Sequence, residues 1–273
     1  FTVGNAAKAH EVFSKLLAEN PRMLDVWDVD AKALLQLGRS EEALAALKKT
    51  VDLAPEAARA PYVTEVANLC LQLGKWEEGM KHAKALRALG DPAAEDIAAR
   101  AALGKGDLAA AETAARAGLE RGTGKARVRA CLVLGRAAVV RGDLEAARSF
   151  ADKAQELSAG DKLPQSGLHM LRGDVLAREG RAAEAEREFL EDLRLYPDRT
   201  DARVSLSALY ASVNRRTDAR RVVIDLVSRQ PTPEAFLLGI HTFHATDDRE
   251  GEIELRREAR RRFPSDPRFA PGG

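Results

Sequence analysis

Apolar residues recur along this chain at intervals of three and four, the spacing that sets one stripe of a helix against a neighbour. In residues 27–55 the order is Trp27, Ala31, Leu34, Gly38, Ala43, Leu47 and Pro55. The stripe stops at Gly38 and resumes, so the pattern predicts two amphipathic helices joined by a tight turn. The same order returns six more times. Its turn residues Gly38, Gly74, Gly106, Gly142, Gly180 and Asn214 are spaced by 36, 32, 36, 38 and 34 residues. Repetition at this period predicts a stack of identical supersecondary units in place of one central core. No segment shows the period-two alternation of a strand.

Side-chain size sharpens the picture. Ala31, Ala67, Ala99, Gly135, Gly173 and Ser207 are small residues at one place in each first helix, and Ala43, Gly79, Ala111, Ala147, Ala185 and Ala219 answer them in each second helix. Two small residues let a helix pair cross closely, and a Leu at either would overpack the crossing by roughly 1–3 kcal/mol. In the seventh unit the same slots are read as His241 and Ile253, as expected of a terminal repeat that departs from the pattern. Trp27, Leu34, Leu47, Leu69, Leu134, Leu176, Phe189, Leu206, Tyr210 and Val223 fill the remaining contact positions. Ser40, Asp107 and Asp143 are expected to cap second helices, and Trp76, Leu108 and Leu144 to pack back across the turn. Pro55, Pro197 and Pro231 are expected to end them.

With Pro21 and Pro55 34 residues apart around the order quoted above, the unit resembles the tetratricopeptide repeat. The resemblance implies an all-α fold, a right-handed superhelical solenoid of antiparallel helix pairs, with about seven repeats plus an N-terminal half repeat. One solenoid domain is expected over residues 1–264: a half repeat at 1–21, then repeats near 22–57, 58–92, 93–124, 125–162, 163–199, 200–233 and 234–264. Residues 265–273 read as a frayed C-terminal tail. The chain opens on Phe1, and Phe1–Gly4 look like the last turn of an interrupted helix, as in a processed product or an excised fragment.

Charge narrows the function classes. The formal net charge is +1 with 31% charged residues, a mixed surface that gives no global attraction to nucleic acid or anionic lipid. The densest basic run, Arg256–Arg262, is interleaved with acids and lacks aromatic platforms, so it reads as a solvated face. No apolar run is long enough for a membrane span. Cys70 and Cys131, two repeats apart, read as unbridged buried residues, which leaves the compartment open between cytoplasm and periplasm.

Catalytic and cofactor chemistry find little support. No Ser/His/Asp or Cys/His grouping recurs, the glycines from Gly104 to Gly124 follow no strand, and neither a cofactor nor a metal is expected. His241, His244, Asp247 and Asp248 resemble a nitrogen and oxygen ligand set, but both histidines are read as packing positions and a well-spaced third ligand is missing.

The resemblance places ligands on the groove lined by first helices. There Lys32, Asn68, Arg100 and Arg136 occupy equivalent places in four consecutive units, with Arg129 beside them. Such a row suits an acidic or carboxylate-bearing segment, because Arg offers paired donors. Its bland alternative is a solvated surface with acid-to-base pairs Asp28–Lys32 and Asp96–Arg100. Further on the row becomes Asp174, Ala208 and Thr242, with Val204 and Leu238 one turn earlier. The carboxylate clamp of chaperone-binding members is not reproduced, since the corresponding pairs are Asp28 with Lys32 and Thr64 with Asn68. The expected function is a non-enzymatic scaffold that binds a protein or peptide, an acidic one being suited to this row, and not nucleic acid. A second expectation, by analogy, is the helical accessory region of a larger bacterial enzyme, sulfatase- or glycosyltransferase-like, or of a secretion or polysaccharide-export component.

Overall fold

The computed structural model describes residues 3–161, 166–197 and 199–270. Among the described residues there are fifteen α-helices and no strand. Helix α1 (Val3–Glu19) precedes seven helix pairs: α2 (Leu24–Gln36) with α3 (Ser40–Leu53), α4 (Arg59–Gln72) with α5 (Trp76–Ala88), α6 (Ala93–Gly104) with α7 (Leu108–Arg121), α8 (Lys125–Arg141) with α9 (Leu144–Leu157), α10 (Leu168–Arg178) with α11 (Ala182–Leu195), α12 (Thr200–Ser212) with α13 (Arg216–Arg229), and α14 (Pro233–Ala245) with α15 (Arg249–Arg262). The fold class is thus all-α, as the periodicity predicted. Of the turn expected at Phe1–Gly4, Val3 and Gly4 belong to α1, and Phe1 and Thr2 lie outside the described residues.

The six turn residues named from the sequence all take left-handed backbone, with φ between 56° and 80°. At the first of them the reversal also completes the helix end: Gly38 and Arg39 donate their backbone N–H groups to the carbonyls of Leu35 and Leu34. Those carbonyls would otherwise be left without partners at the C-terminus of α2. Asp107 and Asp143 cap as expected, each accepting 3.0 Å from the amide three residues on. Ser40 does not cap. It is the first residue of α3, with Arg39 at the cap position and no side-chain bond there. Thr232 and Asp248 cap α14 and α15 instead.

Contacts divide the chain into two units. One runs to Ala137 and takes in Glu156–Ser158; the other comprises Ala138–Gln155 and the residues from Ala159 onward. In the N-terminal unit, two apolar clusters each join one hairpin to the first helix of the next. Ala31, Leu34, Ala43 and Leu47 pack with Val66, Leu69 and Cys70, while Val63, Ala67, Ala83 and Leu86 pack with Ala94, Ile97 and Ala101. The C-terminal unit follows the same rule with larger side chains: Phe189 and Met170 pack with Leu206, Leu209 and Tyr210, and Val223 packs with Phe236, Ile240 and Phe243.

The predicted small residues from Ala31 to Ala219 are all buried. The last hairpin requires a correction. His241 and Ile253 are both exposed, and the small pair is Gly239 with Gly251. A Cβ on Gly239 would meet Leu255, sixteen residues on, as one on Gly173 would meet Phe189. A Cβ on Gly251 would meet Phe243, eight residues back, as one on Gly79 would meet Leu71. The seventh hairpin therefore keeps the rule, and its two small residues stand twelve apart like those of the other six. His244 is exposed as well, so neither histidine is a packing residue.

Nor does the described part of the expected tail fray. Phe269 is 3% exposed, stacks on Phe263 with ring centroids 6.0 Å apart, and its carbonyl accepts from Arg260 Nε at 2.7 Å.

Candidate functional site

The row of polar residues lies on first helices of the N-terminal unit, where small residues one position earlier hold each helix close to its partner. Lys32 follows Ala31, Asn68 follows Ala67, Arg100 follows Ala99 and Arg136 follows Gly135. Burying the small residue turns the next position to the rim of the packed face.

Three of the five predicted residues come together. Arg100 Nη2 donates to Asn68 Oδ1 at 2.6 Å, bridging α6 to α4. Arg100 Nη1 also lies 3.8 Å from Asp96 Oδ2, and Arg129 Nε of α8 lies 2.9 Å from the same oxygen. The Asp96 side chain is only 5% exposed, against 30% for Arg100 and 31% for Arg129. Two guanidinium groups thus share one buried carboxylate, which leaves the trio with a net positive charge. Burial is the chief influence on Arg100 and pulls its pKa below the ordinary value; Asp96 opposes that shift and the Arg129 charge reinforces it. Removing a cation from water weakens its hydration and so strengthens its demand for an anionic partner.

The cluster carries incomplete hydrogen bonding. Asp96 Oδ1 and Arg129 Nε are buried without a hydrogen-bond partner, because the 2.9 Å ion pair is poorly aligned. A buried unmatched donor or acceptor costs about 1–3 kcal/mol.

Lys32 stands outside the linked trio: its Nζ pairs with Asp28 at 2.6 Å, and that hydrogen bond holds the ammonium pKa above its ordinary value. Arg136 is half-buried on α8, seven residues and two turns beyond Arg129. Both acid-to-base pairs expected on a solvated surface, Asp28–Lys32 and Asp96–Arg100, are present. What sequence reasoning missed is that Asp96 serves two repeats. Its signal was an acid one turn before Arg100.

In the C-terminal unit the continuation of the row differs. Ser205 donates to Asp174 at 3.0 Å, and Thr242 is buried, so it does not belong to the outward row. The polar contacts of this unit gather elsewhere: Arg203, 5% exposed, donates to Asp225 at 2.6 Å, and Tyr210 donates to Glu186 at 2.7 Å beneath the Arg215 guanidinium. The basic run on α15 is paired in part within its own helix, Arg256 with Glu252 and both Arg261 and Arg262 with Glu258. Among the described residues, no helix is long and apolar enough to cross a membrane.

Successive helical hairpins, small residues at each crossing and left-handed turns between paired helices define a helical-repeat protein. The chain belongs to the tetratricopeptide repeat family: one family profile matches residues 1–58, 30–94 and 98–162, and a second matches 167–191. That family fold is typical of protein–protein interaction scaffolds, which are generally non-catalytic. Several solved structures share it. One is the APC/C hetero-tetramer Cut9-Hcn1, at TM-score 0.61 and 13% identity over 88% of this chain and 46% of that one. This chain therefore spans under half the length of that relative. TTC0263, a thermophilic TPR protein of Thermus thermophilus, aligns at TM-score 0.57 and 23% identity over 68% of this chain and 98% of its own. PilW, a type IV pilus biogenesis factor, aligns at TM-score 0.54 and 16% identity over 77% of this chain and 96% of its own. No curated protein matches the chain by sequence.

Proposed function

We propose that this protein is a scaffold whose first-helix face, at Asn68, Arg100, Arg129 and Arg136 with Lys32 further along, receives an acidic or carboxylate-bearing protein segment. The observation that carries the reading is the sharing of buried Asp96 by Arg100 and Arg129. One carboxylate cannot neutralise two guanidinium groups, and Arg supplies planar pairs of donors that match a second carboxylate. Asp96 fixes the position of the two cations, so an incoming acid meets a prepared site.

The test is fluorescence anisotropy with libraries of acidic and neutral peptides against the native chain, Arg100→Glu and Arg129→Glu, with circular dichroism to verify folding. An acidic preference that falls tenfold or more in either variant, and whose salt dependence falls with it, supports the reading. Selectivity unchanged by both substitutions removes these residues from the site.

A further inference from the structure

The α4–α5 hairpin brings together a thiol, a carboxylate and an imidazole. Cys70 lies four residues before the turn at Gly74, and Glu78 and His82 lie four and eight residues after it. Antiparallel helices leaving one turn place such positions opposite each other, and Glu78 and His82, one turn apart, share a face of α5. Cys70 Sγ donates to Glu78 Oε2 at 3.6 Å, and ligand atoms from all three residues fall within 4.8 Å of one another. Cys70 is buried while Glu78 and His82 are half-buried, so the cluster is sealed at the sulfur and open at the carboxylate and imidazole.

We propose that Cys70, Glu78 and His82 form a three-ligand site for a zinc-class divalent cation, clipping the two helices of the second hairpin together. Sulfur, nitrogen and oxygen donors of this kind suit zinc and its spectroscopic substitute cobalt, and three protein ligands leave a fourth position for water. Tetrahedral zinc with bonds of about 2.0–2.3 Å sets its ligands about 3.3–3.8 Å apart, so the cluster closes by about 1 Å, a distance side-chain torsions of Glu78 and His82 supply. Metal binding replaces the thiol S–H bond with a metal–sulfur bond, and the proton leaves to solvent.

Two cations oppose the metal. Lys48 Nζ lies 2.8 Å from Glu78 Oε2, and Lys75, held by Glu41 at 2.6 Å, adds positive charge nearby. Lys48 must yield that oxygen or move to the other one, so the site is tuned below the affinity its ligands alone would reach.

The experiment uses the full chain, stripped with chelator and titrated with cobalt, then with zinc in competition. The expected result is one cobalt per chain with a thiolate-to-cobalt charge-transfer band that zinc removes. Cys70→Ser abolishes the band, while Cys131→Ser leaves it intact. Because Cys70 is buried and its substitution can disturb packing, Glu78→Gln and His82→Ala, on the open side, provide a second arm and weaken binding tenfold or more. Lys48→Met tightens it. Absence of the band in the native chain, or a band with unchanged affinity in Cys70→Ser or in both α5 variants, overturns the proposal.

Discussion

The two units solve one packing problem with different materials. In the N-terminal unit, alanine meets alanine or Gly79 at the crossings and the buried clusters are mainly aliphatic; the ring that covers helical Gly104 is Trp76, which is only half-buried. In the C-terminal unit, the cleft beside a glycine is filled by a ring or by a branched chain: Phe189 against Gly173, Leu255 and Val223 against Gly239, Phe243 against Gly251. The lesson concerns tolerance. A cleft bordered by the free end of an aliphatic chain can adjust to an added methyl, whereas one filled by a fully buried ring cannot.

Three experiments press on that contrast. The largest effect is expected from Phe189→Ala, which empties a site 1% exposed and should lower unfolding free energy by about 3–5 kcal/mol in urea denaturation. A loss below about 1 kcal/mol would remove the aromatic ring as a mainstay of its unit. Next comes Gly173→Ala, whose Cβ would stand 2.4–2.9 Å from the Phe189 ring, at an expected loss of about 1–3 kcal/mol. Gly79→Ala is its counterpart, since its Cβ would meet the Leu71 Cδ2 methyl at 2.6 Å, which can rotate away. Equal losses in the two variants would end the distinction.

The smallest effect is electrostatic. Asp192 is fully buried with both carboxylate oxygens lacking hydrogen bonds, and burial pushes its pKa above the ordinary value while Arg199, 3.4 Å away, opposes the rise. A raised folded-state pKa means the native chain binds this proton more tightly than the unfolded chain. The Asp192 contribution to stability therefore grows as pH falls from above the folded pKa towards the ordinary Asp value near 3.8. Carboxylates held low by bases, such as Glu186 by Arg215, act in the opposite direction. The diagnostic quantity is consequently the difference between native chain and Asp192→Asn: the native chain should gain relative stability on acidification through that window. A difference that is flat with pH would show that Asp192 ionises as freely in the fold as outside it.

Much of this architecture could be read from the chain because turn backbone and helix crossings impose local rules. The left-handed residues from Gly38 to Asn214 and the small pairs from Ala31 to Ala219 fall where those rules put them. The rule was misapplied in the last hairpin, where the left-handed residue is Asp247 and two helical glycines, Gly239 and Gly251, carry the crossing. A glycine inside a helix is ambiguous in sequence, being either a weakness or a contact. Side-chain partnerships between repeats were less legible. Arg100 could be placed on its face, but its bond to Asn68, 32 residues earlier, depends on how two hairpins nest. Within one hairpin, the approach of Cys70 to Glu78 becomes visible only when residues are counted outward from Gly74.

The twelve-residue interval between the paired small residues sets a limit on how such a chain can change length. It is constant in all seven hairpins, whereas the stretch from one hairpin's second small residue to the next hairpin's first varies from 20 to 26 residues. One residue added to a helix rotates everything beyond it by about 100°, which would swing one notch out of line with its mate. Insertions and deletions are therefore filtered by location, surviving at the seams and failing within the modules they separate.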